Sequence, residues 1–302
     1  MGTSQTLTRA RDLTSWREFT EAIYDIEKEI AERSRETIGH YSRPLYRGQA
    51  DANWRLVTTL ERETKRDMTM ARYHRDYIGA AHTLLAGFDE KQRVWEKDAD
   101  CSYNALNYRA APNYEFMGYL RHHGFPSPLL DWTTSPWVAA FFAFDNAYSS
   151  EKVSVYWFQE HLGKGKSTSS DKPRILTLGP YAAIHRRHFL QQSEYSICYE
   201  KRGEEAAFVS HEAAFTGDNW WPQDKVMKFT LPREIRDEAI FELNRMNINP
   251  YSLYQSEDAL VKTIGNRLFT DGALREELAK IHIGLIRKEQ SDALTAEEEE
   301  HD

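Results

Sequence analysis

The sequence has few cysteines and no long apolar run. Cys101 and Cys198 are its only cysteines in 302 residues, too few for a disulfide framework or a cysteine-rich zinc site. The longest apolar run, Trp137 to Phe144, is far shorter than the roughly 18 residues of a membrane span. The first residues have neither the basic start nor the apolar core of a signal peptide. We therefore expect a globular, cytoplasmic protein that does not enter a membrane.

An excess of basic residues, common in nucleic-acid-binding proteins, is also missing, since the net charge is −8. However, residues 289–302 hold seven acidic residues and no lysine or arginine, so the rest of the chain carries −1. Such a tail is typical of a solvated, disordered segment, and the alternative is a regulatory tail that covers a basic face. The overall charge therefore does not exclude a nucleic acid as partner.

Hydrophobic periodicity predicts the main helices and strands. The first helix is predicted from apolar residues at helical spacing: Trp16, Phe19, Ile23, Ile26 and Ile30. Thr14 or Ser15 would cap it, and it is predicted to end near Glu36. Further helices are predicted over 113–122 and from Pro136, Pro232, Ser256 and Gly272, and strands over 45–48, 153–158, 174–178, 195–199 and 226–230. This order predicts an α+β fold: a single compact domain with a mixed, mainly antiparallel sheet flanked by N- and C-terminal helices.

Two segments are less regular. Gly163 to Lys172 is predicted to be a flexible loop of Gly, Lys and Ser. From about Arg62 to Phe88 the sequence predicts a charged helical region, and a loosely patterned stretch follows it. The segment from Arg62 to Ala111 is a candidate mobile cover as well as a candidate support.

The segment Leu129-Leu130-Asp131-Trp132-Thr133-Thr134-Ser135-Pro136 places an acid and three hydroxyls at the start of an apolar helix. Ser135 suits the N-cap and Pro136 the first turn. The hydroxyls then lie among unpaired amides, where an anion or a ribose can bind. Helix capping alone explains Ser135 equally well.

Three motifs together resemble the FRG domain, a bacterial and phage family named for its Phe/Tyr-Arg-Gly start. They are Tyr46-Arg47-Gly48-Gln49, His122-His123-Gly124-Phe125-Pro126 and Leu129-Leu130-Asp131-Trp132-Thr133. Gln191 to Tyr195 and Phe229 to Pro232 resemble later parts of the family pattern, while Ser127-Pro128 and Ser193 depart from it. The resemblance implies an FRG domain over 41–255. The periodicity and the charge pattern add an N-terminal helix (1–40) packed on the core, C-terminal helices (256–288) and an acidic tail (289–302).

A second resemblance is to ADP-ribosyltransferases. These enzymes have a pattern of Arg, Ser-Thr-Ser and Gln/Glu-x-Glu on successive strands. The similar segments in this sequence are Arg47 in a first strand, Thr133-Thr134-Ser135 in a middle strand and Gln192-Ser193-Glu194 before a later strand. The resemblance implies an ADP-ribosyltransferase-like sheet and NAD as substrate. Breaking the N-glycosidic bond of NAD requires a grip on an anion, a scaffold for the ribose and a carboxylate that stabilises positive charge.

Within this pattern, Arg47 is the candidate anion contact, and Gly48 would let the backbone approach the ligand. The alternative is an Arg47 paired with Asp131 in the core. Tyr46 or Tyr195 is a candidate for stacking on nicotinamide. The remaining candidates for binding NAD are Gln49, His123, Asp131, Thr133, Thr134 and Ser135.

Glu194 is the candidate catalytic carboxylate, and Gln192, expected on the same face of a strand, would position the acceptor. The competing interpretation is a solvated surface Glu194, with Glu200, Glu204 and Glu205 as rivals. His122-His123 does not predict a metal site, because adjacent helical residues diverge by about 100°. A basic group is formed by His185 to His188 together with Lys164 and Lys166. It would either contact the phosphate backbone of a polynucleotide or be a solvated basic turn.

The leading hypothesis is an NAD-dependent mono-ADP-ribosyltransferase, a toxin-like effector in phage defence. Its acceptor would be a protein or a nucleic acid, and an antitoxin or other inhibitory partner would control it. The alternative is a non-catalytic FRG recognition module that binds a nucleotide, a nucleic acid or a partner protein. A nuclease is disfavoured, because no carboxylate cluster has metal-ligand spacing.

Overall fold

The computed structural model describes residues 10–36, 42–64, 67–87, 95–108, 111–147, 149–160, 172–179, 186–215, 224–271 and 276. The chain forms two compact units, Met1–Ala239 and Ile240–Asp302. The first unit holds a mixed, mostly antiparallel sheet with helices packed on it, which confirms the predicted α+β class.

Eight strands of the described chain form this sheet, in the order β1-β8-β4-β2-β3-β6-β5, with β7 paired to β6. β1 and β8 run parallel, and the other pairs among these strands are antiparallel. Their bounds are β1 Ala10–Asp12, β2 Leu45–Gln49, β3 Leu130–Thr133, β4 Lys152–Glu160, β5 Arg174–Thr177, β6 Ser193–Arg202, β7 Glu205–Phe208 and β8 Asp224–Pro232.

The α-helices of the described residues are α1 Trp16–Glu36, α2 Thr59–Glu63, α3 Met70–Arg72, α4 Gly79–Leu85, α5 Tyr103–Tyr108, α6 Tyr114–His122, α7 Pro136–Asp145, α8 Arg186–Leu190, α9 Arg236–Arg245, α10 Pro250–Tyr254 and α11 Glu257–Asn266. A π-helical stretch, Tyr73–Ile78, joins α3 to α4, and a second, Arg267–Asp271, follows α11. Short 3-10 helices cover His211–Ala214 and Arg233–Ile235.

The strongly periodic elements were predicted correctly. α1 ends at Glu36 behind the Ser15 side chain, which accepts from the Glu18 amide at 3.2 Å. Ser256 caps α11, and Gly124, with φ +85°, follows α6 as expected. Strands β1 and β7 and helix α10 were missed, because each is too short to show a period. Most of the predicted 163–172 loop, the helix from Gly272 and the acidic tail lie outside the described residues.

The segment from Arg62 to Ala111 supports the sheet where we describe it. Met70, Tyr73, Ile78 and Leu106 are buried in one apolar cluster with Tyr199 of β6. Thr69 and Ser102 also form isolated β-bridges to strand β7. The expectation of a mobile cover is therefore wrong for these residues, because apolar side chains interspersed among the charges hold the segment on the sheet.

The sheet has two distinct faces, which the strand register defines. Side chains of alternate residues point to the same face of a sheet. One face, here called the inner face, carries Arg47, Trp132, Tyr156, Phe158, Glu194 and Ser196. The opposite, outer face carries Tyr46, Gly48, Thr133, Tyr195 and Ile197. Helices α1, α6 and α7 pack on the outer face.

The sheet curls around its inner face. The Thr177 hydroxyl of β5 donates a hydrogen bond to Glu160 of β4, although three strands separate β4 from β5 in the sheet. Ile175 of β5 and Val226 of β8 also belong to one buried apolar cluster, with Trp132 and Phe158. The inner face is therefore concave, and side chains from distant strands meet on it.

Candidate functional site

The candidate site lies at a fork between the central strands β2 and β3. These strands share a single register pair, Tyr46 with Thr133, whereas β2 pairs with β4 at five positions and β3 with β6 at four. Beyond Tyr46 the two strands diverge, so their backbone groups need other partners. The Arg47 guanidinium supplies one, because its Nη1 donates to the Asp131 carbonyl oxygen at 2.8 Å.

Two arginines meet at the Asp131 side chain. Arg121 of α6 contacts the Asp131 carboxylate at 2.5 Å from the outer side, and Arg47 Nη1 lies 3.7 Å from the same Oδ2. The predicted contact between Arg47 and Asp131 is therefore present, but Arg121 is the closer partner. The Asp131 side chain remains 38% exposed, so the cluster is open to solvent.

This cluster has a surplus of positive charge. Burial lowers the pKa of Arg47 below its ordinary value, the Asp131 charge opposes that shift, and Arg121 and Arg62 add to it. Two guanidinium groups, those of Arg47 and Arg121, thus meet at one carboxylate, and the Arg62 charge also acts on Arg47. Arg47 Nε and Arg121 Nε are also buried with no hydrogen-bond partner among the described residues. An arrangement of this kind favours an additional anion, for which planar guanidinium groups are suited.

Gly48 serves a different purpose from the one predicted. A Cβ at this position would lie 1.8 Å from the Ala139 carbonyl oxygen and 2.6 Å from the Ala143 amide nitrogen. Helix α7 therefore lies directly on the backbone of β2, and no ligand has room there. The glycine of the Tyr-Arg-Gly motif permits close helix–strand packing.

The hydroxyls of the Thr133-Thr134-Ser135 segment bond within the fold. Ser135 Oγ caps α7 by accepting from the Val138 amide at 3.3 Å, and Thr133 Oγ1 accepts from the Ser135 amide at 3.1 Å. Thr134 Oγ1 donates to the Gln192 side-chain oxygen at 3.1 Å. The capping alternative for Ser135 is thus confirmed, whereas a ribose contact stays a prediction.

Glu194 lies in strand β6 opposite Trp132, and it is buried. This corrects the expectation of a loop residue, and it disagrees with a solvated Glu194. Its carboxylate pairs with the Arg43 guanidinium, which is 56% exposed. Gln192 is exposed in the turn before β6, with φ +48°. The two residues do not share a strand face, because the strand begins only at Ser193.

Both candidate stacking tyrosines are buried. Tyr46 is 1% exposed and Tyr195 is 2% exposed, so stacking on a ligand would require the surrounding elements to move. Tyr195 is enclosed by other rings: its hydroxyl lies 3.0 Å from His122 Nε2, and His188 stacks on it at 5.6 Å. Burial raises the pKa of both phenols.

His123 is the C-cap of helix α6 and is exposed, with its ring 4.4 Å from that of Tyr119. His122 contacts buried Tyr195 on the outer face, and a binding role of His123 stays a prediction. Helix α6 turns the two adjacent side chains in different directions.

The sequence did not point to several residues of the inner face. His211 is fully buried, and its Nε2 lies 2.8 Å from Ser196 Oγ, which also accepts from the Trp132 indole at 2.7 Å. Burial, with the nearby Arg47 charge, lowers the pKa of His211 to about 3. A neutral His211 therefore lies beside the candidate site. Arg43 and His211 belong to none of the motifs, and only the tertiary fold brings them to this face.

The described residues show neither a candidate metal centre nor a candidate membrane-spanning helix. No group of three or more His, Cys, Asp or Glu side chains in this part of the chain is arranged to hold a metal ion. No helix within the described ranges is both long and apolar enough to cross a bilayer.

Comparison with known proteins shows a similarity to the FRG domain. The family model of the FRG domain matches residues 42–152, which confirms that resemblance. The match includes Tyr46 to Gln49, the His122-His123-Gly124 motif and the Asp131 segment, and it ends before Glu194. No curated protein and no solved structure matches the chain.

Proposed function

We propose that the protein is a mono-ADP-ribosyltransferase that uses NAD as substrate. One observation carries the proposal: the strands that hold the three predicted motifs, β2, β3 and β6, are consecutive in the sheet. Arg47 and Glu194 lie on the same inner face of these strands, with Trp132 on the strand between them. Residues separated by 147 positions in sequence thus share one concave surface.

The chain's own residues suit each requirement of the transfer. Arg47 and Arg121 would hold a phosphate of NAD at the fork, where the positive charge exceeds the negative. As the bond between nicotinamide and ribose C1′ breaks, nicotinamide leaves with the electron pair and positive charge develops on the ribose. Glu194 would stabilise that charge through its carboxylate. The acceptor nucleophile then bonds to C1′ and loses its proton.

The Arg43 contact bears directly on this role. Arg43 occupies the Glu194 carboxylate, so one carboxylate oxygen must become available to a ribose hydroxyl. Arg43 is more than half exposed, whereas Glu194 is buried. A ribose hydroxyl would therefore have to replace the Arg43 contact as it is lost, because a buried carboxylate without a partner is costly.

The test is nicotinamide release from NAD by purified protein, with and without a mixture of cell protein and RNA. Labelled ADP-ribose transferred to an acceptor is measured in parallel. We expect Glu194→Gln to reduce turnover by about 100-fold or more, and Arg47→Lys to weaken NAD binding because it removes the planar fork. Melting temperatures establish that each variant is folded.

The matched control is Glu200→Gln. Glu200 lies on the same strand and also pairs with an arginine, Arg202, at 2.8 Å. Turnover should be unchanged in this variant. Loss of turnover in Glu200→Gln but not in Glu194→Gln would reassign the carboxylate. If the wild type releases no nicotinamide under any condition, the transferase proposal is overturned.

We further propose that this activity serves a toxin-like effector in phage defence, controlled by an antitoxin and acting in the cytoplasm on protein or nucleic acid. The proposal predicts that expression of the wild type arrests bacterial growth and that Arg47→Ala relieves the arrest. Growth arrest that persists in a folded Arg47→Ala protein would contradict it.

A non-catalytic nucleotide-binding module is the second candidate. It is favoured by the internal bonding of Glu194, Thr133 and Ser135, each of which already has a partner in the fold. This alternative predicts that the protein binds NAD and ADP-ribose through Arg47 without turnover. Calorimetric titration together with the release assay separates the two functions.

A further inference from the structure

The segment after β2 folds over the inner face and is held there by side chains of that face. Lys228 Nζ donates to the Ala52 carbonyl oxygen at 2.5 Å, and Gln49 Nε2 donates to the Arg55 carbonyl oxygen at 3.1 Å. We call residues 50–55 the β2 loop. Its backbone is fixed at both ends by the strands beneath it.

Trp54 lies in the middle of the β2 loop. The Tyr156 hydroxyl donates to the Trp54 carbonyl oxygen at 3.3 Å, and the Trp54 amide donates to the Asp51 carbonyl oxygen at 3.1 Å. The backbone of Trp54 is thus anchored on both sides, yet the residue is 55% exposed. A large aromatic side chain held in water on a fixed backbone gains little from the fold itself.

The β2 loop is directly connected to the candidate phosphate contact. Tyr156, which holds the Trp54 carbonyl, is the register partner of Arg47 on the neighbouring strand. Arg55, next to Trp54, is fixed by the carboxylate of buried Glu212, which also accepts from the Leu56 amide at 3.3 Å. The ion pair between Arg55 and Glu212 therefore holds the end of the loop next to Trp54 in the chain.

We propose that Trp54 stacks on the base of a nucleotide whose phosphate is bound by Arg47. The proposal rests on the proposed function, because it takes a nucleotide as ligand of the inner face. The ligand class is a planar heteroaromatic ring joined to a phosphate, such as the adenylate part of a dinucleotide. An indole accepts any base by stacking, and a fixed loop reduces the entropy lost on binding.

The test compares ligands with and without a base. Dissociation constants of AMP, ADP-ribose and ribose 5-phosphate are measured by calorimetry for the wild type, Trp54→Phe and Trp54→Ala. Trp54→Ala should weaken AMP and ADP-ribose binding by about 10-fold or more and leave ribose 5-phosphate unchanged. Trp54→Phe should keep most of the affinity, because a phenyl ring still stacks. Because no ligand in the panel requires turnover, the test is independent of catalysis.

The outcomes separate the two proposals. If Trp54→Ala binds AMP as tightly as the wild type does, the stacking role is overturned and NAD use stands. Equal weakening of ribose 5-phosphate would also overturn it, because the effect would not involve the base. If the wild type binds none of the ligands, the stacking role is overturned, and nicotinamide release decides NAD use separately. Binding of a single-stranded oligonucleotide without binding of AMP would replace the mononucleotide site by a polynucleotide site.

Discussion

Replacing Gly48 by alanine tests the packing of helix α7 on strand β2. The added Cβ would lie 1.8 Å from the Ala139 carbonyl oxygen, whereas ordinary contacts are 3.4–4 Å. The helix and strand must therefore separate by more than about 1 Å in a closely packed interior. Overpacking commonly costs 1–3 kcal/mol. Because the clash here is with backbone atoms, we expect the free energy of unfolding to fall by about 3 kcal/mol or more.

For a unit of this size, such a loss lowers the melting temperature by roughly 6–12 °C. Thermal and urea unfolding, followed by circular dichroism, measure it. Gly87→Ala is the matched control, because no atom of the described residues lies within 4 Å of its added Cβ and its φ is not positive. Its stability should be close to that of the wild type. If Gly48→Ala melted within about 2 °C of the wild type, the packing role of this glycine would be refuted.

Two further predictions concern charge. The pKa of His211 is lowered to about 3 by burial, whereas the unfolded value is about 6.5. As the pH falls from about 6.5 towards 3, the unfolded state binds the proton first, so stability should fall by up to about 1.4 kcal/mol per pH unit. His211→Gln should flatten this part of the curve, and an unchanged slope would contradict the reasoning. Asp131→Asn should cost about 1 kcal/mol, because its carboxylate is 38% exposed and Arg47 keeps its backbone acceptor. Inorganic pyrophosphate should then raise the melting temperature of the variant more than that of the wild type, and an equal rise would argue against anion binding at Arg47 and Arg121.

Much of the fold could be predicted from local patterns. Helix α1 has five apolar residues at helical spacing and a polar cap, and the structure forms it over Trp16–Glu36. Ser135 and Pro136 likewise fixed the start of α7. β1 and β7, with three and four residues, carry too little pattern to be recognised. β1 pairs with β8, which lies far away in the sequence. β7 pairs with β6, the strand directly before it, and β6 in turn pairs with β3, which lies far away in the sequence.

The candidate site was only partly predictable. Arg47, Asp131 and Glu194 belong to motifs, and the sequence named all three. Arg43 and Arg121 belong to no motif of that kind, yet they are the closest ionic partners of Glu194 and Asp131. The sequence analysis also assigned Gly48 to ligand binding. A glycine in a sequence shows that the backbone can be approached closely, but it does not show whether a ligand or, as here, a helix approaches it.

The sequence by itself determined the element types, the apolar helix behind Ser135 and the motifs of the FRG domain, because these depend on neighbouring residues and on period. Only the tertiary structure decided that β2, β3 and β6 are consecutive, that β2 and β3 diverge after one register pair, and that Arg47 fills the fork. Strand order and register are set by contacts between residues far apart in the chain. Local propensity holds no information about those contacts, so burial, charge pairing and exposure at the site appear only when the chain is folded.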